Sequence, residues 1–176
     1  MNIFVLDANP KVAAQQHTNK HVVKMILESA QMLSTAHRLS GNEKQQNNES
    51  IYKKAYQNHP CTVWARQTSA NYFWLFELFQ GLLEEYHYRY GKNHSSINLV
   101  RHLIVKPEQI PDSPLTPFAQ AMPDTYKHQN AITAYRQYYF GEKGKLFAWT
   151  GRDVPEWISP VSPNFLRDDL PSRVVF

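Results

Sequence analysis

The chain has 176 residues, 42% hydrophobic and 19% charged, with a net charge of +4. That balance excludes a disordered chain and fits one domain with a sizeable core. Cys61 is the only cysteine, which excludes an internal disulfide framework. No stretch approaches the roughly 20 apolar residues of a membrane span. The first ten residues lack the basic region and apolar run of a signal peptide, so a soluble cytoplasmic protein is expected. The basic balance allows nucleic acid or a phosphorylated ligand as partner without requiring either.

In chain order, "NIFVLD" reads as a short buried N-terminal strand, because Ile3, Phe4, Val5 and Leu6 form one apolar run. Asn9 is a suitable N-cap and Pro10 suits a first helical turn, which predicts a helix from Pro10 to Leu39 that stops near Gly41. "GNEKQQNNES" is polar and reads as a mobile loop. A second helix is expected from Pro60 to Gly91, with a bend at Gly81. "NHSSINLVRHLIVKPEQIP" reads as a short helix and then a loop, and the proline-rich "PDSPLTPFAQAMPD" as irregular chain packed over the helices. A third helix over "QNAITAYRQYYFGEKGKLFAW" ends around Gly141 to Gly144. The expected fold is mainly α: a single helical domain over 1–158 with one short strand, then an extended tail over 159–176.

The first helix carries the most informative pattern. On a wheel at about 100° per residue, His17, Lys20, His21, Lys24, Glu28 and Gln31 share an arc of about 100°. Val22, Val23, Met25, Ile26, Leu27, Ala30, Met32 and Leu33 occupy the rest. A helix apolar around most of its circumference is expected to be buried, with its polar seam lining a cleft. Buried charges are costly unless paired or solvated, and a seam of cations, imidazoles and one carboxylate suits anion binding beside acid–base chemistry. The bland alternative is a simple ion pair between Lys24 and Glu28 at i, i+4. His17 and His21 also have a metal-ligand spacing, but Lys20 and Lys24 in the same seam would repel a cation.

Further along, His59 stands at a helix start and Arg66 follows two turns later. Arg136, Lys143 and Lys145 are interleaved with Tyr135, Tyr138, Tyr139, Phe140 and Trp149, a mixture that attracts unstacked bases but equally suits a core with a solvated face. No Walker motif, G-x-G-x-x-G, G-x-S-x-G or CxxC pair is present, and no cofactor is expected.

"MNIFVLDANPKVAAQQHTNKHVVKMILESAQML", "YQNHPCTVWARQTSANYFWL", "LTPFAQAMPD" and "AYRQYYFGEK" with "FAWTGRDVPEW" together resemble a phage and bacterial family related to the pyrimidine dimer DNA glycosylases. The likeness runs to about Trp157. It implies a mostly helical enzyme that cuts the glycosidic bond at a pyrimidine dimer and then nicks the strand. The nucleophile would be the chain's own terminal amine, with a helix glutamate assisting and basic residues holding the duplex. Carried over, Glu28 takes the glutamate's role with Lys24 and His21 beside it, while His17, Lys20, His59, Arg66 and Arg136 bind substrate. The sequence departs from the pattern at Asn2, because Met before a residue of that size is usually retained; the amine then belongs to Met1, or Lys20 or Lys24 replaces it. The expected function is a DNA N-glycosylase with a lyase step. Two rivals are an enzyme acting on a free nucleotide or nucleobase, and a non-enzymatic phage accessory or inhibitor protein.

Overall fold

The structure, a computed structural model, describes residues 1–158; the tail expected over 159–176 lies outside those residues. Seven α-helices occur among the described residues: α1 (Pro10–Gln16), α2 (Asn19–Ser40), α3 (Glu43–Gln46), α4 (Pro60–Trp64), α5 (Ser69–Tyr90), α6 (Val100–Leu103) and α7 (Ala131–Lys143). The centre of the fold is α5, where Leu75, Leu78, Phe79 and Leu82 are fully buried. Both α1 and α2 lie against it.

The expected N-terminal strand is not seen; no strand occurs among the described residues. Ile3, Val5 and Leu6 are buried as their apolar character demands, but Phe4 adopts a φ of 32° and breaks the extended run. A strand takes its hydrogen bonds from a neighbouring strand, and here other partners take them. The Asn2 Oδ1 accepts from the Ile3 and Phe4 N–H groups at 2.8 and 3.1 Å, and Arg136 Nε donates to the Leu6 carbonyl at 2.8 Å.

The single helix expected over Pro10 to Leu39 is two. His17 closes α1 with extended backbone (φ −65°, ψ 139°), and α2 starts after Thr18. The cause lies far away in sequence: Arg89 donates to the carbonyls of Gln15 and His17, each at 2.8 Å, and so satisfies acceptors that a continuous helix would use internally. The second expected helix is likewise divided. Thr68 caps α5 by accepting from the Asn71 N–H at 3.1 Å, and α4 ends before it. Gly81 makes no break in α5; its missing side chain lets α1 approach, since a Cβ there would stand 3.0 Å from the Ala14 Cβ and 3.4 Å from the Lys11 Cα. Gly91, at φ 63°, ends α5 in the left-handed conformation that favours glycine.

The segment after α2 is more ordered than its composition suggests. Asn42 and Gln45 form a capping box on α3. Arg38 donates to the carbonyls of Gln46, Asn48, Ile51 and Tyr52. The proline-rich segment is irregular and does pack over the helices: Phe118 lies 5.3 Å from Trp64 and 4.8 Å from Trp74, ring centre to ring centre. Asn71 is fully buried and holds this segment through Thr116, donating to its Oγ1 at 2.7 Å and accepting from its N–H at 2.9 Å.

Candidate active site

Glu28 stands at the edge of the exposed face of α2. Its Oε2 accepts from the Asn2 backbone N–H at 3.0 Å and lies 3.7 Å from the Met1 amine. Its Oε1 is 3.5 Å from Lys24 Nζ, one turn earlier on the same helix. Two potential amine groups therefore flank one carboxylate whose side chain is 13% exposed. The Met1 side chain is almost wholly buried while the residue as a whole is not, so the main-chain end carries its exposure.

The local sequence brings the chain end to Glu28 by a specific device. Asn2 folds its side chain back onto Ile3 and Phe4 and donates to the Ala121 carbonyl at 2.9 Å. The residue that departs from the family pattern therefore has a structural task. Phe4 then enters positive φ, an arrangement that costs roughly 1–3 kcal/mol for a non-glycine residue. Its ring stacks on His21, 4.8 Å between centres, and meets Tyr139 edge-on at 5.3 Å.

His59 opens the helix that follows a surface groove. It caps α4 by accepting at Nδ1 from the Cys61 N–H at 3.2 Å. Partial burial holds its imidazole below the ordinary histidine range; the Met1 ammonium pushes the same way and Glu28 opposes. Those two interactions place His59 within electrostatic reach of the amine and the carboxylate. Cys61 lies beneath, and burial pushes its thiol up to about 11, which removes a thiolate nucleophile at neutral pH.

A groove of about 560 Å³ opens beside His59, lined by Lys54, Tyr56, Gln57 and Asn58. It is tied to the Glu28 helix, because Thr35 Oγ1 accepts from the Ala55 N–H at 3.0 Å.

The polar seam expected on α2 does not lie wholly in a cleft. Lys20 and Lys24 are exposed, and Val23 and Leu27 beside them are 40% and 41% exposed. The solvated arc is centred on Lys20 and Gln31, with Glu28 at one margin and the two histidines inside. His17 is fully buried, its Nδ1 donating to the Ala13 carbonyl at 2.7 Å and its Nε2 without a hydrogen-bond partner. Burial lowers its pKa to about 4. His21 is 5% exposed, with Nδ1 2.8 Å from Tyr139 Oη; burial, then His17, Lys143 and Lys24, lower its pKa to about 3. Both are neutral interior groups at pH 7, without the charge that phosphate binding would use.

Arg136 is also turned inward, gripping the Leu6 carbonyl, pairing with Asp7 at 3.4 Å and lying over the Trp157 ring. Arg66 is half-buried and donates to the Thr62 carbonyl at 2.9 Å. Tyr135 and Tyr139 of the aromatic–basic segment are core residues. The structure thus sets Glu28 between the Met1 amine and Lys24, with His59 in electrostatic range of the amine and the carboxylate, and turns His17 and Arg136 into the interior. Tyr56, Gln57 and Lys54 escaped the sequence reading; the only signal was a basic–aromatic triplet, "KAY", preceding "QNHP".

The profile of the family described as pyrimidine dimer DNA glycosylase matches residues 1–98, which include Met1, Glu28, His59 and the groove. It stops short of the C-terminal aromatic–basic segment that the sequence likeness includes. No curated protein and no solved structure matches the chain. The profile covers more than half of the 176 residues and spans the whole amine–carboxylate cluster, and on that extent the chain belongs to the pyrimidine dimer DNA glycosylase family.

Proposed function

We propose that this protein is a DNA N-glycosylase with an associated lyase step on damaged bases, using its terminal amine as nucleophile and Glu28 as the assisting carboxylate. The observation that carries the proposal is the pair of contacts at Glu28 Oε2: 3.7 Å to the Met1 amine and 3.0 Å to the Asn2 nitrogen. Whichever of the two residues ends the mature chain, its amine meets the same carboxylate.

The chemistry follows from that juxtaposition. An unprotonated amine attacks C1′ of the damaged nucleotide, and the base leaves with the electron pair of the glycosidic bond. The sugar ring opens as O4′ takes a proton, leaving an iminium between C1′ and the chain end. Glu28 stabilises the cationic sugar and moves protons as these bonds change. Loss of a C2′ proton then expels the 3′ phosphate, and water hydrolyses the imine to release the amine. Lys24 and the exposed Lys20 hold backbone phosphates beside the site. His21 is a positioning residue, fixing Phe4 and with it the course of the chain end.

The test is borohydride trapping with DNA containing an abasic site or a pyrimidine dimer. A covalent adduct is expected, with the modified residue mapping to the first residue of the mature chain as read by intact mass. Glu28→Gln is expected to slow trapping by at least about a hundredfold, the usual range for a positioned acid–base group. An adduct on Lys24 would transfer the nucleophile's role to that residue. Failure of any adduct to form, with a melting temperature raised by free nucleotides but not by duplex DNA, would move the function to a nucleotide-pocket enzyme.

A further inference from the structure

We propose that Tyr135 and Asn2 are positioning residues for the terminal amine: the Tyr135 hydroxyl clips the chain at Ala119 and Ala121, and the Ala121 carbonyl in turn holds Asn2 so that the amine faces Glu28. The proposal rests on the amine–carboxylate reading above. It assigns the geometry of that pair to a part of the chain beyond the family match, which ends at residue 98.

The segment that carries Ala119 and Ala121 is irregular, so no helix or strand satisfies its backbone groups. Side chains do so instead. Tyr135 Oη donates to the Ala119 carbonyl at 2.6 Å and accepts from the Ala121 N–H at 3.4 Å. Asn2 Nδ2 donates to the Ala121 carbonyl at 2.9 Å. Tyr135 and Asn2 therefore hold Ala121 by its two backbone polar groups, one each. Tyr135 stands in α7 and is fully buried. Burial raises its phenol far above the ordinary value, so the hydroxyl keeps its proton for Ala119. A buried donor or acceptor that loses its partner is costly, which favours one fixed arrangement of this turn.

Asn2 transmits this hold to the chain end. Its Oδ1 accepts from the Ile3 and Phe4 N–H groups at 2.8 and 3.1 Å, and its own backbone N–H donates to Glu28 Oε2 at 3.0 Å. The side chain is fixed at both ends, its oxygen toward its own backbone and its nitrogen toward Ala121. The Met1 side chain is only 1% exposed, so the amine, 3.7 Å from Glu28 Oε2, is anchored from that side too. Without the Tyr135 hydroxyl, the Ala121 N–H loses its acceptor and the Ala121 carbonyl is free to turn away from Asn2. The amine and the carboxylate then lose their common support. A misplacement of about 1 Å between reacting groups costs up to about a hundredfold in rate.

The experiment compares Tyr135→Phe with Tyr72→Phe. Tyr72 is also fully buried, and its hydroxyl donates to the Leu103 carbonyl at 2.6 Å and lies 2.8 Å from His37 Nε2, partners outside the chain of bonds through Asn2 and Ala121. Each variant loses one buried hydroxyl, and both are expected to melt at a lower temperature. The first readout is borohydride trapping of 2-deoxyribose 5-phosphate, which has a reactive aldehyde, at saturating sugar phosphate and on the plateau of each variant's pH profile. Tyr135→Phe is expected to slow trapping at least tenfold and Tyr72→Phe to leave it unchanged. Asn2→Asp keeps the acceptor for Ile3 and Phe4 but loses the donor to Ala121, and is expected to slow trapping comparably. Combined with Tyr135→Phe it is expected to slow trapping no further than the slower single variant, because both break the same chain of bonds. The second readout is acetylation of the terminal amine by acetic anhydride, mapped by mass spectrometry, which needs no enzymatic step. An amine released from Glu28 is expected to react several-fold faster in Tyr135→Phe and not in Tyr72→Phe.

Equal trapping rates in Tyr135→Phe and Tyr72→Phe, whether unchanged or lowered together, would overturn the positioning role. So would independent, additive losses from Asn2→Asp and Tyr135→Phe. Should Tyr135→Phe not fold, Asn2→Asp decides: wild-type rates of trapping and acetylation in that variant would overturn the proposal, and slower trapping with faster acetylation would support it. Wild-type protein that traps neither the sugar phosphate nor abasic DNA, yet shows faster terminal acetylation in Tyr135→Phe alone, would remove the enzymatic reading and keep the hold on the chain end. No trapping and no difference in acetylation would remove both.

Discussion

His17 and His21 have the helical spacing of ligands but the environment of core residues, and this difference has a measurable consequence. An ordinary histidine titrates near 6.5; burial lowers His17 to about 4 and His21 to about 3. In the unfolded chain both take up protons as pH falls through 6.5, whereas in the folded chain both stay neutral. The unfolded state thus binds more protons in this window, and stability falls as pH falls. The contribution of the neutral pair is complete above pH 6.5 and is lost progressively toward pH 4 and then 3. At pH 5 the loss is about 2 kcal/mol for each histidine, from 1.5 pH units at about 1.4 kcal/mol per unit. Urea unfolding at pH 7 and pH 5 is expected to show that decline. A His21→Asn variant, which cannot charge in this range, is expected to start less stable at pH 7 but to show a slope shallower by roughly one proton. An unchanged slope would mean that His21 is not the neutral interior group described.

Helices were legible in the sequence wherever local signals determine them, and misread wherever a distant side chain intervenes. Asn9–Pro10 and Gly91 mark real helix ends because a cap or a positive φ is a property of those residues. The break at His17 depends on Arg89, more than seventy positions away by the separation of the bonded pair, and no local pattern announces it. The strand expected over "NIFVLD", residues 2–7, failed for a similar reason: the apolar run Ile3 to Leu6 predicts burial, which is correct, but not a partner strand, which the described residues lack. In the candidate site, the pairing of Lys24 with Glu28 was readable from helical spacing, while the exposure and positive φ of Tyr56 were not, because neither is encoded by residue type. Gly81 shows the same limit. Glycine in mid-helix suggests a weak point, yet its role is to admit α1. Alanine there would gain about 1 kcal/mol of helix propensity but press a methyl to 3.0 Å from the Ala14 Cβ, with the Lys11 backbone close behind. Neither neighbour is a flexible chain end, so overpacking at about 1–3 kcal/mol outweighs the propensity gain. Gly81→Ala is expected to lower the melting temperature. Adding Ala14→Gly is expected to recover part of the loss, a positive coupling that thermal unfolding of the two singles and the double would measure.

At the scale of the molecule, the family match ends at residue 98, but hydrogen bonds tie the chain beyond it to the chain before it. Trp149 Nε1 donates to the Gln16 carbonyl and Trp157 Nε1 to the Gln16 Oε1, each at 2.9 Å. The Asn19 N–H donates to the Ala148 carbonyl at 2.9 Å, so the C-terminal part of the described chain closes over the junction of α1 and α2. The charged centre of this closure is Glu85, buried, between Arg89 at 3.0 Å and Arg152 at 2.6 Å. The two arginines are not equivalent. Arg89 is wholly buried in its side chain and also satisfies the carbonyls of Gln15 and His17, whereas Arg152 is 32% exposed and lies over the Tyr88 ring. Removing Arg89 leaves two backbone acceptors without their donor and takes from a buried carboxylate its interior partner, a loss of about 3–5 kcal/mol. Removing Arg152 leaves Glu85 paired with Arg89, and solvent screens what is lost, for about 1 kcal/mol. Arg89→Met is therefore expected to lower stability several times more than Arg152→Met in urea titrations at pH 7. In Arg89→Met the loss should reach α1, where the released carbonyls lie, and hydrogen exchange of the Ala13 and His17 amides is expected to accelerate ahead of the α5 core. Equal destabilisation by the two variants would mean that the network acts through Glu85 alone, and that the junction of α1 and α2 is held by packing rather than by the guanidinium.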